Sequence, residues 1–134
     1  MKKLVLLLSV LFVFNSCSRD DHSYSIVILP IESVTEIPTE FSLGETYPIT
    51  IKYLRPSTCH SPYGIYYEKD LNKRTFAARN LKETGRECSE LTNIMVEETF
   101  NFYVTNTGNY IFKFWTGKDA EGNNTYLEYD IPVN

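Results

Sequence analysis

Apolar and polar residues alternate with a period of two along most of this chain, and no stretch carries a convincing helical spacing. A first extended segment runs from about Ile26 to Ile37 and is interrupted by Pro30, which suits an edge strand. Residues Pro38 to Glu45 then form a turn-rich link. Tyr47, Ile49, Ile51 and Tyr53 share one face of the next strand, with Thr50 and Lys52 opposite. Tyr63 to Glu68 and Arg74 to Leu81 follow, joined through Asp70-Leu71-Asn72-Lys73. Phe100, Phe102 and Val104 face one way in a fifth strand. Tyr110, Phe112 and Phe114 line a sixth, and Leu127, Tyr129, Ile131 and Val133 a seventh. Gly117 to Asn124 is a hairpin loop by composition. The segment from Leu81 to Met95 has room for a short turn. Seven strands at this spacing predict an all-β sandwich of two antiparallel sheets.

The first seventeen residues follow another pattern. Met1-Lys2-Lys3 precedes an apolar run of eleven residues, Leu4 to Phe14, and then Asn15-Ser16-Cys17. A basic start, a run too short to span a bilayer comfortably and a small residue before the break describe an export signal. Ser16-Cys17 resembles the bacterial lipobox, in looser form at Phe14 and Asn15. That resemblance implies cleavage after Ser16, acylation of Cys17 and attachment to a membrane through N-terminal acyl chains. The competing reading is an ordinary secretory leader cut nearby. Ser18-Arg19-Asp20-Asp21 resembles the acidic signal by which lipoproteins of the Bacteroidota reach the outer face of the outer membrane, and it also suits a plain solvated tether. The expected organisation is a leader over 1–16, a lipidated tether over 17–25 and one domain over 26–134.

Composition narrows the partners. Of 134 residues, 118 remain after the leader, enough for one core and not two. Loss of Lys2 and Lys3 leaves 11 basic residues against 17 acidic, a net charge of −6. Phosphate backbones demand a basic face, so nucleic acid is not an expected partner. Ten tyrosines, eight phenylalanines and one tryptophan favour half-buried pleated surfaces.

Asn106-Thr107-Gly108-Asn109-Tyr110 resembles the corner of immunoglobulin-like domains, where a tyrosine entering the penultimate strand bonds back to the preceding loop. The likeness stops at Phe112, where antibody domains carry the second cysteine of their inter-sheet bridge. It therefore implies an immunoglobulin-like plan and not an antibody domain. Cys59 and Cys88 are expected to pair, because export places them where thiols oxidise. Connections alternate ends in an antiparallel array, which puts both cysteine loops at one end. The start of the domain and the Gly117–Asn124 hairpin share that end. Asp70–Lys73 and Asn106–Asn109 fall at the other.

Few residues suggest reaction chemistry, and no catalytic group is expected. Cys59, His60 and Cys88 supply three soft ligands where zinc wants four, so no metal or cofactor is expected. His60 reads as a solvated loop residue. Asp119-Ala120-Glu121-Gly122-Asn123 faintly echoes a calcium loop, but Lys118 stands badly for a cation and no bidentate Glu is in register. Glu97-Glu98 cannot flank a substrate as acid and base, because neighbours on a strand point to opposite faces. One aromatic set has more promise. Tyr66, Phe76, Tyr103, Trp115 and Tyr126 are expected on faces opposite the core, where they could stack on sugar rings or meet a protein.

Phe41-x-Leu-Gly-Glu-x-Tyr, Tyr53-Leu-Arg-Pro-Ser-Thr-Cys59-His60, Tyr110-Ile-Phe-Lys-Phe-Trp-Thr-Gly and Tyr126-Leu-Glu-Tyr together resemble small lipoproteins of marine and gut Bacteroidota. The resemblance implies the sandwich and the outer-membrane address, and no activity. The expected function is binding or scaffolding at the envelope without catalysis, through a protein partner or a glycan. The glycan alternative is a carbohydrate-binding accessory module.

Overall fold

The computed structural model describes residues 21–134. The leader, Cys17 and the first part of the tether therefore lie outside the described residues. Eight strands and no helix occur among the described residues: β1 Ser23–Leu29, β2 Ser33–Glu36, β3 Thr46–Leu54, β4 His60–Asp70, β5 Lys73–Thr84, β6 Met95–Tyr103, β7 Tyr110–Lys118 and β8 Asn124–Ile131. They form a five-stranded and a three-stranded sheet packed face to face, the expected all-β sandwich.

β5 is the centre of the larger sheet. β4 runs antiparallel along one edge, from His60 opposite Lys82 to Asp70 opposite Lys73. Two strands share the other edge in succession. β1 pairs antiparallel from Ser23 opposite Thr84 to Leu29 opposite Ala78, and β7 then pairs in parallel from Lys73 opposite Ile111 to Phe76 opposite Phe114. β8 closes the sheet against β7. The smaller sheet runs β2–β3–β6.

The count is eight and not seven because the first extended segment divides at Pro30. Proline offers no N–H to a ladder, and the chain passes there from one sheet to the other. Ile31 N–H donates to the Trp115 carbonyl and Glu32 N–H to that of Lys52, both at 2.8 Å. β1 and β2 keep one direction, so the ends of the sandwich fall as alternation requires. The domain also begins earlier than expected. Ser23, Tyr24 and Ser25, read as tether, belong to β1 and pair with Thr84, Glu83 and Lys82. His22 Nδ1 lies 3.0 Å from Glu83 Oε1, close to the cysteine loops.

The inner faces supply the core. Phe41, Ile49, Ile51, Phe76, Phe112 and Phe114 are buried there. Phe112 meets Phe102 edge to face with ring centres 4.8 Å apart, and Phe76 stacks on Phe114 at 5.1 Å. Phe76 thus departs from the outward placement expected of it. The inward row of β5 is Arg74, Phe76, Ala78 and Asn80, all buried. Polar residues at both ends of that row hide its phase in the sequence. Tyr110 is buried, and its hydroxyl accepts N–H bonds from Thr105 at 3.1 Å and Asn106 at 2.9 Å. This is the corner the sequence suggested. The Arg74 guanidinium lies over the Tyr110 ring, 4.9 Å from its centre.

Cys59 and Cys88 form a disulfide with Cα atoms 5.5 Å apart. It fastens the loop after β3 to the loop after β5. Glu83 N–H donating to the Cys59 carbonyl at 2.9 Å ties that loop to the foot of the sheet.

Candidate functional site

The outer face of the five-stranded sheet has a step where β1 ends beside β5 and β7 takes over. Large side chains stand around it and small ones form its floor. On β5 the outward residues there are Thr75 and Ala77, opposite Glu68 and Tyr66 of β4. Trp115 of β7 faces Tyr126 of β8 across the outer face, next to a register shift between Trp115 and Gly117. Gly117 adopts φ +110°, which a side chain would strain. Ile28, next to the last residue of β1, supplies the apolar wall. The result is a surface cleft of about 340 Å³ whose lining includes Tyr66, Trp115, Tyr126, Glu68 and Asn124.

Asn124 and Glu68 are each held by an aromatic partner. Trp115 Nε1 donates to Asn124 Oδ1 at 3.1 Å, which fixes the indole and leaves the amide NH2 free to donate. The Tyr66 hydroxyl donates to Glu68 Oε2 at 2.8 Å. That hydrogen bond is the main cause pushing the Tyr66 hydroxyl above its usual range, with burial and the Glu68 charge adding to it. Lys113 Nζ sits 4.2 Å from the Tyr126 ring centre and 3.7 Å from Glu128 Oε1, but does not line the cleft.

Three of the five aromatics singled out in the sequence therefore come together. Tyr103 is outward and 57% exposed, but on β6 of the other sheet. Phe76 is in the core at 1% exposure. Ile28, Glu68, Thr75 and Asn124 were not among the expected site residues. Glu68 was legible in principle, since it follows Tyr66 by two positions and must share its face. Asn124 read only as turn chemistry.

Two other hollows have different character. One of about 440 Å³ lies at the crossover, lined by residues such as Pro30, Leu54, Arg55, Pro56 and Glu90, with no aromatic ring. The other, about 280 Å³, opens between the edge strands β4 and β6 over Tyr67, Phe100 and Tyr103, with Asn101 as its one amide and no charged side chain in the lining.

His60 is not the solvated residue expected. It is buried, and its Nδ1 lies 2.7 Å from Ser57 Oγ. Burial, and then the charges of Lys82 and Arg55, hold the imidazole below its usual pKa. Ser57 is itself buried, and its Oγ also accepts the Cys59 N–H at 3.2 Å. The pair braces the disulfide loop. The Asp119 carboxylate is likewise spent on its own loop, where Oδ1 accepts the N–H groups of Glu121 and Asn123 at 2.9 Å each. Among the described residues, no three His, Cys, Asp or Glu side chains stand close enough to hold a metal ion. Compared with known proteins, the chain matches no family model, no curated protein and no solved structure.

Proposed function

We propose that this chain is an envelope lipoprotein, acylated at Cys17 and held at the outer membrane, whose sandwich works by non-covalent binding through the outer face of its larger sheet. One observation carries the binding part. Tyr66, Trp115 and Tyr126, drawn from three strands, meet in one cleft together with a free carboxylate edge and a free amide. A concave site lined by aromatic rings with a few fixed polar groups is the common form of a recognition site. The anchor rests on the leader and on Ser16-Cys17. Asp21 and His22 already lie against Gly85 and Glu83, so the described chain starts at the cysteine-loop end of the domain. Acylation would hold the cysteine-loop end close to the bilayer and leave the cleft on a flank of the standing domain.

Two measurements in intact cells test this. Palmitate labelling with mass spectrometry of the mature N-terminus is expected to find acylated Cys17, and Cys17→Ala to abolish the label; an unmodified N-terminus refutes the anchor. A photocrosslinker replacing Tyr126 is expected to capture an envelope component that the same group at Tyr103 does not capture. Equal capture from both positions refutes a site at the cleft.

A further inference from the structure

We infer that the cleft formed by Tyr66, Trp115 and Tyr126 binds a neutral saccharide, one or two pyranose rings of a longer chain. This rests on the binding reading above and adds the ligand class. The first argument is shape. The rings line an open step on a sheet and do not close on a point, and Ala77 keeps the floor shallow. A pyranose has two faces carrying C–H groups, which pack on aromatic rings by dispersion and the ring quadrupole. The small residue between large ones leaves room for such a flat body.

The second argument is the polar complement. Sugar hydroxyls both donate and accept, so a site for them needs both capacities side by side. Glu68 offers a carboxylate edge with one oxygen unoccupied by Tyr66, Asn124 offers its amide NH2, and Thr75 offers a hydroxyl. Vicinal hydroxyls would bridge such acceptors and donors.

Charge separates the saccharide from its competitors. The only ionic side chain in the lining is a carboxylate, and no guanidinium faces it. A phosphate or carboxylate ligand would therefore meet the Glu68 charge directly, while the nearest ammonium, Lys113, stands outside the lining and is shared with Glu128. An alkylammonium would gain from Glu68 and the rings. It would, however, leave the Asn124 donors without acceptors. A purely apolar ligand would bury Glu68 unpaired. A neutral polyhydroxyl ring avoids each of these costs.

The chain holds one tryptophan, Trp115, so a ligand in the cleft reports directly in the protein's indole emission. The experiment titrates the full-length lipoprotein, in a detergent free of sugar head groups, with four tetrasaccharides: β-1,4-linked glucose, α-1,4-linked glucose, β-1,4-linked xylose and β-1,4-linked N-acetylglucosamine. Choline serves as the cationic probe. At least one tetrasaccharide is expected to shift the emission and saturate, with choline silent. Tyr126→Ala and Glu68→Gln are each expected to weaken that affinity by about tenfold or more. Tyr103→Ala, on the opposite sheet, is expected to leave it unchanged. No saturable shift with any tetrasaccharide up to about 10 mM overturns the saccharide. Saturation by choline alone, or affinity unmoved by Tyr126→Ala, overturns it as well. If the cleft then still crosslinks a protein in cells, only the ligand class has failed; if it captures nothing there, the binding reading falls with it.

Discussion

Asn80 Nδ2 donates to the Tyr53 hydroxyl at 3.0 Å, a polar bond passing from the centre of one sheet to the centre of the other. Both side chains have 0% exposure. Asn80 Oδ1 has no hydrogen-bond partner among the described residues, so the amide depends on Tyr53 for what satisfaction it has. Tyr53→Phe keeps the ring and strands the Asn80 donor. The expected cost is about 1–3 kcal/mol, the penalty of a buried polar group losing its partner. Asn80→Leu in the Tyr53→Phe background is expected to recover part of that loss, because it removes the stranded Asn80 amide, while the 3.5 Å bond from the Tyr53 hydroxyl to Glu98 Oε2 stays lost. Urea unfolding of the two single variants and the double variant measures it, and strictly additive losses would refute the coupling.

His60 gives the domain a dependence on acid. Its imidazole is held below the ordinary value of 6.5 by burial first, then by Lys82 and Arg55. The folded state therefore resists a proton that the unfolded chain takes readily. This leaves stability unaffected above about pH 6.5 and lowers it as pH falls from there towards the depressed folded value. His60→Gln removes the titrating group. The stability of the variant is expected to fall less steeply than that of the wild type between pH 7 and 5. Parallel slopes in denaturant titrations across that window would show that His60 does not contribute.

Much of the fold was legible because its period is simple. β3, β7 and β8 alternate cleanly, and their inward residues were all assigned to the right face. β5 was not, because Arg74 and Asn80 stand where an apolar residue marks phase. Both are tolerated by local partners: Arg74 by the Leu71 and Lys73 carbonyls and the Tyr110 ring, Asn80 by Tyr53. Such compensation is three-dimensional and leaves no trace in a one-strand window. The disulfide is legible from strand parity together with the expectation of export. The cleft was legible only in part. Trp115 and Tyr126 lie on the hairpin strands β7 and β8, so their meeting follows from the turn, whereas Tyr66, on β4, joins them only because β5 pairs with β4 on one edge and with β7 on the other.

The placement of Phe76 can be tested by energetics. Its ring contacts those of Tyr67, Phe100, Phe112 and Phe114 within 5.5 Å between centres. Phe76→Ala would open a cavity among them and is expected to cost about 3–5 kcal/mol. Tyr103→Ala, which removes an exposed ring from the other sheet, is expected to cost no more than about 0.5 kcal/mol. Comparable denaturation midpoints for the two variants would return Phe76 to the surface.

The hairpin between β4 and β5 carries a residue in a conformation it does not favour. Leu71 has φ +53° and is 83% exposed, so no packing compensates it. Asp70 pairs with Lys73, which makes Leu71-Asn72 a two-residue loop, and only its first residue has positive φ. That is the pattern of a type II′ turn, where glycine is the preferred first residue. For an ordinary L-residue a sparsely populated positive-φ conformation costs about 1–3 kcal/mol, and glycine escapes it at a smaller entropic cost in the unfolded chain. Leu71→Gly is therefore expected to stabilise the domain by up to about 1 kcal/mol. The gain should come with an unchanged denaturant slope, since the variant alters little surface in either state. Arg74 Nη1 donates to the Leu71 carbonyl, and the substitution keeps that carbonyl in place. A lower midpoint in the variant would mean that the Leu71 side chain holds the turn by a contact outweighing the backbone strain.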